Sequence, residues 1–101
     1  MMASHVIAIG MRRDPEESIR EVEEIAAVSM AVQNMYLTAT AYGVGCYWGT
    51  GGITYMEKAK AFFGLGEKDK LMGFLYVGSI QGELKAKGLR QPIGEKVNWV
   101  G

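Results

Sequence analysis

The run from Ile19 to Tyr42 constrains the fold most, because neither glycine nor proline interrupts it. Such a run predicts one helix of about 24 residues and about 36 Å in length, and Gly43 follows where a left-handed C-terminal cap belongs. From Ala26 onward the residues of this run are mostly apolar or small on every side of the predicted helix. A helix of this kind must be covered on all sides. We expect the rest of the chain to supply too little cover.

The start of the long helix has two candidate caps. Asp14 could cap it with Pro15 at the first helical position, or Ser18 could form a capping box with Glu21. We favour Ser18 for the long helix and allow a short turn before it.

Shorter elements are predicted on both sides of the long helix. Two all-apolar segments, His5–Met11 and Leu71–Gly78, suit the interior of a sheet. The pair Tyr47-Trp48 predicts a short buried strand, with one ring facing the core and the other facing away. A second helix is expected over Ile53–Phe63, capped near Thr54. The order is β-α-β-α-β in a single domain over residues 1–101, followed from residue 81 by an irregular tail that ends on an apolar tip.

The composition argues against several functional classes. The net charge of +0 offers no basic field for phosphates, so we expect no nucleic-acid partner. Charges interrupt the longest apolar run before it could span a bilayer, so we expect no membrane partner. The single cysteine, Cys46, cannot form an internal disulfide and fits a reducing compartment such as the cytoplasm. His5 has no partner at metal-ligand spacing, and we therefore predict no metal site.

The segment from Gly43 to Gly52 contains five glycines in ten residues. Without a Cβ, such backbone can come close to a flat or anionic group, and its N–H groups can serve a phosphate or the polar edge of a ring. The alternative is a tight strand-to-loop turn that binds nothing. A P-loop is disfavoured because no lysine follows the glycines.

The ordered series of these elements resembles the C-terminal half of the FMN-dependent nitroreductase family. The similarity runs from His5 to Gly78, with a looser match through Trp99. It is closest to the small bacterial nitroreductases whose loop reads Trp-Arg-Ser/Thr-Gly. Here the corresponding loop is Trp48-Gly49-Thr50-Gly51.

The resemblance implies an α+β fold, with a mixed sheet packed between helices, built as an intertwined homodimer with FMN in the interface. It also implies reduction of nitro compounds, quinones or similar acceptors, with NAD(P)H as the electron donor. Trp48, Gly49 and Thr50 would contact the flavin, with Gly51 beside them. Arg90 is the best match to a basic residue that contacts the FMN phosphate in relatives, and Lys87 is a poorer second.

Two departures from the family pattern bear on function. Gly49 stands where the closest relatives have an arginine, which removes a cation from the edge of the flavin. The family's N-terminal half has no counterpart in these residues, so we interpret the chain as the C-terminal portion of a nitroreductase-like protein. The rival interpretations are a non-catalytic dimerisation or scaffold domain that has lost flavin binding and a small phosphate-binding domain.

Overall fold

The computed structural model of the protein describes residues 2–80 and 88–100. Their helices and strands, in chain order, are β1 (Met2–Met11), α1 (Glu21–Ala41), β2 (Val44–Gly49), α2 (Glu57–Phe62) and β3 (Lys70–Ser79). Two 3-10 turns accompany them, one over Gly52–Tyr55 and one over Ile93–Glu95. The predicted β-α-β-α-β order and the α+β class are confirmed.

The three strands form one sheet in the order β1-β3-β2. β3 lies in the centre and pairs antiparallel with both neighbours. Its pairing with β2 runs without a break from Val44 opposite Ser79 to Gly49 opposite Phe74. Both pairings among the described strands are antiparallel, so a parallel component of the expected mixed sheet is not among them.

A β-bulge interrupts the pairing of β1 with β3. Ala8 lies opposite Phe74 and Gly10 opposite Leu71, so two β3 residues, Met72 and Gly73, face one residue of β1. Gly73 has a φ of 113°, a conformation that residues with a Cβ rarely adopt. The bulge therefore depends on glycine at this position.

The core lies between α1 and one face of the sheet. Val32 of α1, Ile9 of β1 and Leu75 of β3 are buried together. On the other face Phe74 meets the ring of Phe63, which directly follows α2, at a centroid distance of 5.6 Å. This alternation of Phe74 and Leu75 is the period-two pattern of a strand covered on both faces.

The long helix is only partly covered, as predicted. Val32 is the buried residue of α1, whereas Val22, Met30 and Leu37 are 68%, 69% and 59% exposed. The described elements alone therefore leave large apolar side chains on several sides of α1 uncovered.

The expected capping box at Ser18 is wrong. α1 begins at Glu21, and its N-cap, Arg20, makes no side-chain capping bond. Ser18 instead donates its N–H to the Asp14 carboxylate at 2.9 Å and its hydroxyl to the same carboxylate. Asp14 thus closes a turn of its own before the helix, so neither candidate caps α1.

The other element boundaries also needed tertiary information. β1 begins at Met2 rather than at His5. The helix expected over residues 53–63 splits into a 3-10 turn and α2, because Met56 between them has extended backbone. Thr54 caps neither piece.

Hydrogen bonds and an ion pair between charged groups stabilise the connection between β1 and α1. Glu24 accepts a hydrogen bond from the Arg13 guanidinium at 2.5 Å and from the backbone N–H of Asp14 at 2.7 Å. The side chains of Arg13 and Glu24 are only 12% and 11% exposed. The backbone N–H of Arg13 donates to Asp69 at 2.8 Å, which ties this connection to the turn before β3.

Part of the predicted irregular tail, residues 81–87 with Lys87, lies outside the described residues. In the described part, Trp99 and Val100 are 92% and 99% exposed. The apolar tip therefore has no cover from the described residues.

Candidate functional site

The glycine-rich segment is mostly a strand. Residues 44–49 form β2, and Gly43, with a φ of 72°, ends α1 as predicted. The loop consists of Thr50 and Gly51, after which a 3-10 turn starts at Gly52. The expected short strand opening into a loop is confirmed, but the strand is half-buried rather than buried, and the loop is shorter than the run of glycines indicated.

Trp48 is a core aromatic residue whose indole N–H is hydrogen-bonded within the protein. Its ring packs against the core, and its indole N–H donates to the carbonyl of Met72 at 2.9 Å. Tyr47 faces the other way and is 61% exposed, which confirms the predicted alternation. Because the indole N–H of Trp48 is already bonded, this group is not free to bind a ligand.

Two tyrosine rings occupy the space beside Gly49. A Cβ at Gly49 would lie 3.3 Å from Cε2 of Tyr76 and 3.5 Å from Cε1 of Tyr47. The two tyrosines are cross-strand partners, with ring centroids 6.3 Å apart. A longer side chain at residue 49 would have to displace these rings, so the glycine and the tyrosine pair suit each other.

The loop after β2 presents open backbone. A Cβ at Gly51 or Gly52 would meet nothing within 4 Å, and Thr50 is exposed. In the part of the chain that the structure describes, no protein acceptor bonds the N–H groups of Thr50, Gly51 and Gly52. Unbonded N–H groups on backbone without Cβ atoms are suited to the polar edge of a ring or to an anion.

A cleft of about 270 Å³ adjoins the loop. Its polar lining comes from Thr50, Thr54 and Lys70, and its apolar lining includes Trp48 and Ile25. The Thr54 hydroxyl is buried without a hydrogen-bond partner, whereas the Lys70 ammonium lies 3.4 Å from a Glu21 carboxylate oxygen. Sequence reasoning treated Thr54 only as a helix cap and did not single out Lys70, since only the fold brings the start of β3 next to the end of β2.

Arg90 is not brought to this loop by the described contacts. It is exposed in the segment 88–100, and the 3-10 turn of that segment packs against no other element of the described ranges. The predicted phosphate role of Arg90 therefore stays a prediction, and Lys87 lies outside the described residues.

Two carboxyl groups of the described chain have a lowered pKa. Hydrogen bonds from the backbone N–H groups of Arg13 and Gly66 lower the pKa of Asp69. The hydroxyl and backbone N–H of Ser18 lower the pKa of Asp14. Both groups brace connections next to β1 and β3, and neither lines the cleft beside the loop.

The described ranges contain neither a metal-binding cluster nor a membrane-spanning helix. No group of three His, Cys, Asp or Glu side chains there could hold a metal ion. No helix there is both long and apolar enough to cross a bilayer.

Comparison with known proteins identifies the class of fold. A crystal structure of a nitroreductase-like family protein from Bacillus cereus superposes with a TM-score of 0.77 at 32% identity, covering 94% of this chain and 50% of that one. The chain thus has a nitroreductase-like α+β fold. The sequence model of the Nitroreductase family matches residues 2–79. The chain belongs to the nitroreductase family.

Two curated relatives agree with this assignment. "Putative NAD(P)H nitroreductase YdjA" of Escherichia coli K12 is 30% identical over 76 residues, which cover 75% of this chain and 42% of the relative. "Putative NAD(P)H nitroreductase YfhC" of Bacillus subtilis 168 is 28% identical over 72 residues, or 71% of this chain and 37% of the relative. The match therefore spans less than half the length of these relatives.

Proposed function

We propose that this chain is part of an FMN-dependent oxidoreductase that uses NAD(P)H to reduce nitroaromatics, quinones or similar acceptors. The observation that carries the proposal is the open backbone at Thr50 and Gly51, directly after β2. Membership of the nitroreductase family supports the reaction class, and the names of the curated relatives support NAD(P)H as donor.

The loop fits a planar cofactor with a polar edge. The N–H groups of Thr50 and Gly51 are free among the described residues, and no Cβ at residues 51 and 52 blocks approach to the backbone. Thr50 adds an exposed hydroxyl that can donate or accept. These residues would hold the polar edge of FMN, and Arg90 would bind its phosphate.

The chain's own part in such a reaction is positioning. The chemistry that FMN supplies when bound is electron transfer between NAD(P)H and an acceptor, and the protein supplies binding and orientation. Since the Trp48 indole N–H is bonded to Met72, hydrogen bonds to a cofactor would come from loop backbone. Trp48 would serve as a rigid support under that loop.

A homodimer is part of the same proposal. α1 exposes Met30 and Leu37, and beside it an apolar groove of about 400 Å³ runs between the helix and the sheet. Exposed apolar surface of this kind marks an interface, and a second copy would cover it. The half-buried free thiol of Cys46 supports a reducing compartment, and we propose the cytoplasm.

Flavin binding tests the function directly. Protein mixed with FMN and passed over a desalting column should emerge yellow and should bleach when NAD(P)H is added without oxygen. The measurement is made on this chain and on a version joined to the N-terminal half of a nitroreductase relative. If both forms emerge colourless, the flavin proposal is wrong.

The rival function is a dimerisation or scaffold domain without flavin. The tyrosine rings beside Gly49 favour it, because they occupy the space where the family resemblance would place an arginine. It predicts a stable dimer in sedimentation that neither retains FMN nor oxidises NAD(P)H.

A further inference from the structure

The β3 bulge touches the proposed flavin loop directly. A Cβ on Gly73 would lie 2.4 Å from the carbonyl oxygen of Gly49, 2.9 Å from Nε1 of Trp48 and 3.1 Å from Cγ2 of Thr50. Among the described glycines, the three others at positive φ, Gly43, Gly52 and Gly64, have nothing within 4 Å of such a Cβ. Gly73 therefore combines a glycine-only conformation with close contact to the loop.

The same bulge also orients the residue that supports the loop. Met72, the other bulged residue, accepts the indole N–H of Trp48 at 2.9 Å. Trp48 directly precedes Gly49 and Thr50, so this bond and the close approach of Gly73 both tie the start of the loop to the β3 bulge. Bulges commonly re-aim backbone and side chains next to functional sites.

We propose that Gly73 is a positioning residue for the flavin loop: its missing Cβ lets β3 pack against Gly49 and Thr50 and so sets the direction of the free N–H groups of residues 50 and 51. The link to FMN rests on the proposed function, whereas the control of loop geometry by Gly73 does not. Gly73 lies against the Gly49 carbonyl at the end of β2 and against the Thr50 side chain, and it acts on a ligand only through these residues.

Gly73→Ala is the central variant, and Gly64→Ala is its matched control. Gly64 is also at positive φ, at 74°, so both variants strain the backbone, but only Gly73→Ala inserts an atom against the loop. We expect Gly73→Ala to raise the Kd for FMN about tenfold or more and to shift the visible absorption band of the bound flavin. Gly64→Ala should leave the Kd within about twofold and the band unchanged.

A measurement that needs no flavin tests the positioning role of Gly73 separately from the proposed function. In proton–nitrogen NMR spectra, Gly73→Ala should shift the Trp48 indole signal and the amide signals of residues 50–52, and Gly64→Ala should not. Trp48→Phe assigns the indole signal, since Trp99 supplies the other one. If Gly73→Ala does not fold, Trp48→Phe takes its place, because losing the bond to Met72 should shift the same loop amides.

Each outcome supports or overturns the positioning role of Gly73 or the proposed function. Loop signals that move with Gly73→Ala but not with Gly64→Ala support the positioning role. A folded Gly73→Ala protein with unmoved loop signals and an unchanged Kd overturns it. If the unsubstituted protein binds no FMN, the proposed function fails, and the loop signals alone decide the role of Gly73.

Discussion

Glu24→Gln should destabilise the protein by far more than an ordinary surface substitution. Glu24 receives one hydrogen bond from the Arg13 guanidinium and another from the backbone N–H of Asp14. A glutamine offers one carbonyl oxygen, so its NH₂ group must face one of these two donors and leave it unsatisfied. Hydrogen bonds to charged groups contribute about 1.5–3 kcal/mol each.

The contacts that Arg13 retains limit the expected decrease in the free energy of unfolding of Glu24→Gln to about 2–3 kcal/mol. Breaking a buried ion pair costs about 3–5 kcal/mol, but Arg13 keeps a hydrogen bond to the Ile19 carbonyl at 3.2 Å and an ion pair with the Glu17 carboxylate at 3.7 Å. With a urea m-value of about 1.5 kcal/mol/M for a chain of this size, the midpoint of unfolding should fall by roughly 1–2 M. Urea titration followed by far-ultraviolet circular dichroism measures this shift.

Glu23→Gln is the matched control for this prediction. Glu23 is exposed in the same first turn of α1, so both variants remove the same favourable charge from the positive end of the helix dipole. The control should change the free energy of unfolding by less than about 0.5 kcal/mol. Equal losses in the two variants would refute the reasoning, because they would trace the effect to helix charge rather than to the contact with Arg13.

Four further predictions follow from other regions. Leu75→Ala, at a side chain 1% exposed, should cost about 3 kcal/mol in the same urea assay, and a loss below about 1 kcal/mol would contradict the described core. The pKa of Asp69 lies below its usual 3.8 in the folded state, so ionised Asp69 stabilises the fold above pH 3.8, and this contribution is lost as the pH falls through the lowered pKa. Asp69→Asn should therefore reduce the dependence of the free energy of unfolding on pH in that acid range. An unchanged dependence would contradict this role of Asp69. Met30→Glu should raise the dissociation constant of the dimer at least about tenfold in sedimentation equilibrium, since it places a charge on the exposed face of α1. An unaltered dissociation constant would mean that the interface lies elsewhere. Gly49→Arg, whose side chain must displace the rings of Tyr47 and Tyr76, should raise the reduction potential of bound FMN, because a cation favours the negative charge gained on reduction; a redox titration showing no rise would count against this role of a cation at residue 49.

Much of the fold could be predicted because it depends on local periodicity. The absence of glycine and proline from Ile19 to Tyr42 predicted α1 nearly to its ends, and the apolar run of Leu71–Gly78 predicted β3. The errors lie where a local signal met a tertiary partner. Ser18 looks like a cap in sequence, yet in the structure its donors are bound to Asp14.

The candidate site was predictable only in part. The resemblance to nitroreductases drew attention to residues 48–51, and the fold keeps Gly51 open to solvent. The importance of Gly73 was not apparent, because one glycine in an apolar strand is indistinguishable from others until β2 is laid against it. Nor could the sequence show that Tyr47 and Tyr76 flank Gly49, since their contact depends on the register of β2 and β3.

By itself, the sequence determined the long helix, the apolar strands and the family, because these depend on residue order along one chain segment. Only the tertiary structure decided which loop N–H groups stay free among the described residues, which glycine packs against the loop and which apolar residues of α1 lack cover. The physical reason is that hydrogen bonds and steric contacts between β2 and β3 join residues more than 20 positions apart, such as Trp48 and Met72, and no local pattern of side chains encodes that register.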